Sequence, residues 1–197
     1  MGNAEWPQRM SDSLKRNVGE KEAELIIEGC DKLCEMDEKN RAKWMAQAMD
    51  RLDSHVADEK TKIKIMTDCC CRCYEEHILE LRRVWKGTGD VDALIDVMTG
   101  KVFLRRPERD GNIVYVTKAP RFPEEHAGAK TKEEKKYYFC HCDYARAASA
   151  GISKTYCLCG AGWCKRIWEE IMERPIRVDV VKAVLQGDNV CRFAVYL

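Results

Sequence analysis

The chain has 197 residues, 45% hydrophobic and 34% charged, enough to bury a core without covalent staples. Its 34 basic residues against 33 acidic ones leave a net charge of +1, which removes the electrostatic case for a nucleic-acid partner. No apolar run is long enough to span a bilayer and no export signal opens the sequence, so no membrane partner and a cytoplasmic location are expected.

The first half reads as helical. From Lys21 to Met36, Leu25, Ile26, Cys30, Leu33 and Cys34 recur at helical spacing, and Cys30 and Cys34 are expected in the core. Asp37 is placed to cap a second helix whose inner face carries Trp44, Met45, Ala48, Met49 and Leu52. A third pattern runs from Asp58 to about Trp85, with Ile63, Met66, Cys69, Cys70, Cys73, Leu81 and Val84 in its stripe and Gly87 and Gly89 as its stop. Asp90 to Met98 predicts a short fourth helix, closed by Gly100.

At Lys101 the texture changes. Val102–Leu104 and Ile113–Val116 are short β-prone runs, with Pro107-Glu-Arg-Asp-Gly111 as the hairpin connection. Pro120 to Lys136 is charged and aperiodic and reads as a loop; within it the Lys130–Lys136 charge run is read as solvated, with a lid over a pocket as the alternative. Tyr137 to Cys142 reads as a strand, and Ala161 to Glu173 as an amphipathic helix with Trp163, Ile167, Trp168 and Ile171 inside. Ile176 to Leu197 reads as a hairpin around Gly187-Asp188-Asn189. The expected class is α+β: a helical region over 1–100, then an antiparallel sheet with at least one packed amphipathic helix over 101–197, as one integrated unit.

The 12 cysteines of such a chain are expected as reduced thiols or metal ligands, not as a disulfide framework. Two pairs stand out, Cys140-His141-Cys142 and Cys157-Leu158-Cys159. On extended backbone, residues two apart share a face, so each pair presents two sulfurs together and turns His141 away. Four such sulfurs make a tetrahedral zinc site or the corners of an iron–sulfur cluster. One residue between the cysteines is fewer than the zinc habit, and burial as small hydrophobes is the plain alternative. Cys159, followed by Gly160-Ala-Gly162 and a helix, is the candidate nucleophile, because a helix N-terminus favours a thiolate. Cys69 and Cys73, one helical turn apart, either join the metal site or are core, while Cys71 faces elsewhere on such a helix.

Gly160-Ala-Gly-Trp163, Ile167-Trp-Glu-Glu170, Pro175-Ile-Arg-Val178 and Gly187-Asp-Asn-Val-Cys191-Arg-Phe193 together resemble the 4-vinyl reductase domain family, over about the last third of the chain. That resemblance implies an α+β ligand-binding fold, a pocket for a small molecule and, in some members, a zinc site near its mouth. The family's zinc ligands are an acid, a cysteine and a second cysteine after Gly-Asp. Cys191 matches the last, but Ala183 and Val180 stand at the other two positions, and Asp179 is one residue out of register. The paired cysteines are similar to those of a cysteine-rich bacterial and archaeal branch, some of whose distant relatives are named as thiazoline-carboxylate hydrolases.

The expected function is metal binding, by zinc or an iron–sulfur cluster, through Cys140, Cys142, Cys157 and Cys159, with Cys69 and Cys73 as further candidates and Cys191 outside the set. A small apolar or aromatic molecule is the expected partner, and a homodimer stays open. A hydrolase or reductase using Cys159 or a metal-bound water, and an assembly module docking through the helical half, are the alternatives.

Overall fold

The computed structural model describes residues 5–72, 75–99, 101, 103–148 and 151–197, the side chains of 75 and 76 excepted. Cys73, Gly100 and Val102 lie outside the described residues.

Helix α1 (Trp6–Val18) buries Trp6, Met10 and Leu14 and ends at Gly19, and α2 (Glu20–Ile26) follows directly. The helix expected over Lys21–Met36 stops ten residues early. Gly29 turns left-handed with φ 76°, and Cys30–Glu35 continues as a tighter 3-10 helix. With three residues per turn, positions four apart no longer share a face, so Leu33 is buried, Cys30 is half-buried and Cys34 is exposed. The core expectation fails for Cys34. Trp44 locks this turn by donating its indole N–H to the Glu28 carbonyl at 2.8 Å.

Asp37 caps α3 (Glu38–His55) as expected, accepting from the Asn40 N–H at 2.8 Å, and Trp44, Met45, Ala48, Met49 and Leu52 are all buried. The long third helix is a correction: it divides into α4 (Glu59–Asp68) and α5 (Glu75–Thr88). Cys69, Cys70 and Cys71 lie past the end of α4, whose last carbonyls are closed by the Cys69 and Cys70 N–H groups. A short α6 (Val91–Thr99) completes the helical half.

Strands β1 (Glu108–Asp110), β2 (Ile113–Thr117), β3 (Arg177–Lys182) and β4 (Arg192–Tyr196) form one antiparallel sheet in the order β1-β2-β4-β3. Residues 108–110, expected inside the connection, are themselves strand, and the turn is Gly111-Asn112 with Gly111 at φ 56°. The C-terminal hairpin matches expectation, with a 3-10 turn Val184–Gln186 in its connection.

Two further expectations are overturned. The charged segment is not a loop: it holds α7 (Pro123–Gly128) and α8 (Lys132–Phe139), the latter started by a reciprocal Thr131/Glu134 capping box. Tyr137–Phe139 therefore belong to a helix, and the strand read over Tyr137–Cys142 is absent. Tyr137 and Arg146 both bond Glu38 on α3, at 2.8 and 2.5 Å, and Lys136 donates to the Ala148 carbonyl at 2.6 Å, so the end of α8 is tied to its surroundings.

Helix α9 (Leu158–Met172) is the central element, packing on α4, α5 and β3. It buries Trp163, Ile167, Trp168 and Ile171 as expected. Gly160 and Gly162 are explained by close packing. A Cβ at Gly162 would stand 2.6 Å from the Thr67 Cα on α4, and one at Gly160 3.0 Å from the Phe193 ring on β4. A single cluster of buried side chains contains residues of both halves, from Trp6 to Val195. Among the described residues no helix is long and apolar enough to cross a membrane.

Asp53 on α3 fastens the halves together. It accepts from Thr155 at 2.7 Å, from Lys62 at 3.3 Å and from the Ser153 hydroxyl. Burial alone would raise its pKa, but the three donors outweigh burial and hold the carboxyl below the usual carboxylate value. A depressed folded pKa gives stability that is complete above the unfolded value of about 3.9 and is lost as pH falls through the folded one. Asp53→Asn is expected to lower stability by about 2 kcal/mol at pH 7, the cost of charge-assisted bonds. In urea melts the gap to wild type should narrow below about pH 4; a gap independent of pH would show that the charge of Asp53 contributes nothing.

Candidate functional site

The structure brings the predicted cysteines together, on different backbone from that expected. Cys140 is the C-cap of α8, its N–H bonded to the Lys136 carbonyl at 3.0 Å. Cys142 follows in a turn, where its carbonyl accepts the Ala145 and Arg146 N–H groups, each at 3.0 Å. Cys157 ends the 3-10 helix Lys154–Cys157 and is the N-cap of α9; Cys159 lies in the first turn of α9. Neither pair is on a strand, so the shared-face argument does not place them. Helix ends and turns do.

Two segments supply more sulfurs. Past the end of α4, Cys71 donates to Cys159, Cys159 donates to Cys69, and Cys69 donates to the Met66 carbonyl at 3.4 Å. The helical reading sent Cys71 away from the site; the end of α4 turns it in. Cys191 precedes β4, where its carbonyl accepts the Lys118 N–H at 3.0 Å, and its sulfur acts electrostatically on Cys140 and Cys157. All the described cysteines are free thiols.

Cys142 is the hub. Its charge is felt by Cys71, Cys140, Cys157, Cys159, Cys191 and Tyr156. A hydrogen bond from the Cys140 thiol draws its pKa down to about 7, burial opposes this, and Lys118 and the Tyr156 hydroxyl add to the lowering. Cys142 is thus drawn toward the thiolate in the neutral range. Its neighbours are held as thiols. Donation to Cys142, then burial, raises Cys140; burial above all raises Cys157; donation to Cys69 raises Cys159. Cys159, the sequence candidate for a nucleophile, is 3% exposed and protonated.

Lys118, which nothing in the sequence marks, is the cation of the site. Its ammonium sits 4.3 Å from the Trp163 ring centre and lowers the thiols of Cys142, Cys157 and Cys191. His141 is no general base here. Its Nε2 is 2.8 Å from the Ala119 carbonyl, and burial, with Lys118, pushes its pKa down to about 4. Among the described residues no three His, Cys, Asp or Glu side chains stand in a ready-made metal arrangement; the sulfurs are engaged with one another.

An open cleft of about 800 Å³ adjoins the thiols, and Cys157 belongs to both. It lies between β3, α4, the 3-10 helix Lys154–Cys157 and the start of α9, with Ile63, Leu158, Ala161, Ile176, Val178 and Val180 as its apolar lining. Trp163, Trp168 and Phe193 are core residues and take no part in it.

Residues 122–197 match a family of unknown function (DUF6144). No curated protein and no solved structure matches the chain. The matched region contains Cys140, Cys142, Cys157, Cys159 and Cys191, while Cys69, Cys71 and Lys118 lie outside it.

Proposed function

We propose that this is a cytoplasmic metal-binding protein whose thiol cluster takes zinc or an iron–sulfur cluster, and whose neighbouring cleft holds a small apolar or aromatic molecule in a sensor-like role. The observation that carries this reading is the convergence of buried and half-buried thiols from four separate segments around Cys142, whose thiol is drawn down to about 7. Soft sulfur donors of this kind select zinc or iron–sulfur groups over hard cations. Cys140, Cys142, Cys157 and Cys159 would hold the metal, with Cys69 and Cys71 within the same hydrogen-bonded set. Metal binding by thiols releases protons, and the raised pKa values of Cys140, Cys157 and Cys159 mean that several are there to be released. A thiolate-held metal would order the wall that Cys157 contributes to the cleft. The resemblance to 4-vinyl reductase domains supports the ligand-binding half of the proposal.

A cysteine-dependent enzyme is the second reading, favoured by the neutral-range pKa of Cys142 rather than by Cys159. Metal analysis and an absorption spectrum of protein purified without oxygen test the first reading. A brown, iron-containing sample or a colourless sample with stoichiometric zinc is expected. Metal-free protein whose thiols all titrate freely, and which takes up neither zinc nor iron, would overturn the metal reading.

A further inference from the structure

The cleft has two unlike ends. Its apolar lining is set along β3 and α4, where Ile63 of α4 and Val178 and Val180 of β3 face the opening. Strand β3 is the edge of the sheet, so its outer backbone groups border the cleft as well. At the other end the 3-10 helices Lys154–Cys157 and Val184–Gln186 meet, joined by Gln186, which donates to the Ile152 carbonyl at 2.9 Å and also bonds Cys157. Lys154 enters from the first of these helices and Lys182 from the end of β3.

The charges around the cleft are not balanced in the same way. Arg177 is taken up by Asp179 at 2.6 Å, and Lys165 by Glu169. Of the acids, Glu59 pairs with Lys62 at 2.5 Å, and Asp188 accepts the Ala183 N–H at 2.8 Å. Lys154 and Lys182 have no ion-pair partner among the described residues, and both line the cleft. Asp188 keeps its charge at this end, so two ammonium groups against one carboxylate leave a positive excess, which matches a ligand with an anionic head and an apolar body. The volume, about 800 Å³, is that of a pocket for a drug-sized molecule.

We infer that the cleft takes an amphipathic carboxylate, its apolar body over Ile63, Val178 and Val180 and its head group between Lys154 and Lys182, next to Cys157. This rests on the reading of the cleft as a small-molecule site and narrows its ligand to one chemical class. It also places the charged end of the ligand against a residue of the thiol cluster, so that occupancy and the state of the thiols are felt by one another.

Calorimetric titration of the full chain with straight-chain and aromatic carboxylates, each paired with its alcohol, tests this. At least one carboxylate is expected to bind at least tenfold more tightly than its alcohol. In the double variant K154E/K182E that preference should vanish, and an unchanged urea-unfolding midpoint of the variant separates loss of charge from loss of fold. Equal affinity of acid and alcohol in the wild type overturns the inference and leaves the small-molecule site standing. Binding of no member of either series overturns both. Binding of extended peptides alone would make the β3 edge, not the lysines, the recognition element and would equally overturn it. Metal content, measured on the same samples, reports on the thiol cluster independently.

Discussion

Replacing Gly162 with alanine is expected to cost about 3 kcal/mol of stability or to prevent folding, the upper range for an overpacked core site. The Cβ would enter at 2.6 Å from the Thr67 Cα and 3.0 Å from the Thr67 carbonyl oxygen. Both are backbone atoms of α4, and no rotamer change moves them. Relief requires α4 and α9 to separate, and beside that contact lie Cys70, whose Cβ is 3.2 Å from the same position, and Cys69, which is bonded by Cys159. Alanine would favour the helix by about 0.5–1 kcal/mol over glycine in the absence of a clash, so the net loss measures the contact itself. Gly160→Ala is the control. Its Cβ would meet the end of the Phe193 side chain at 3.0 Å, which rotation can relieve, so a loss of about 1 kcal/mol is expected. Urea melts of the two variants decide it: equal losses would mean that helix–helix approach is not what selects glycine at 162.

The second large effect is at Cys142. Cys142→Ser is expected to reduce bound zinc or iron at least tenfold. A serine hydroxyl keeps about the size of the group but does not ionise near neutral pH, so the thiol drawn down into the neutral range is lost together with the acceptor for Cys140 and Tyr156. Cys164→Ser is the matched control. Cys164 is more deeply buried than Cys142, but it stands outside the hydrogen-bonded set, and burial pushes its thiol up to about 12. It should keep the full metal content. Equal loss in both variants would show that metal retention follows core integrity rather than the thiols. A further readout does not depend on metal: in stripped protein, alkylation should label Cys142 first, and Cys140→Ala should slow it by removing the donor that draws its pKa down to about 7.

What could be read in advance, and what could not, follows a physical line. The caps and stripes that depend on neighbours in sequence were legible: Asp37 before α3, the apolar face of α9, and the hairpin closed by Gly187. Local signals failed where two descriptions fit one segment. Tyr137–Phe139 is aromatic enough for a strand, but the Thr131/Glu134 capping box upstream had already started a helix through it. The cysteine run after Asp68 continues a helical stripe on paper, yet α4 ends there.

The sequence by itself determined the α+β class, the helical first half and the identity of the four thiols most worth following, because these rest on composition, periodicity and residue chemistry. Only the tertiary structure decided that those thiols gather from helix ends rather than strands. It also brought Cys71, Cys191 and Lys118 to them and drew down the pKa of Cys142 while raising that of Cys159. The reason is that a thiol's pKa and partners depend on burial and on charges brought from distant segments, and spacing along the chain carries no record of either.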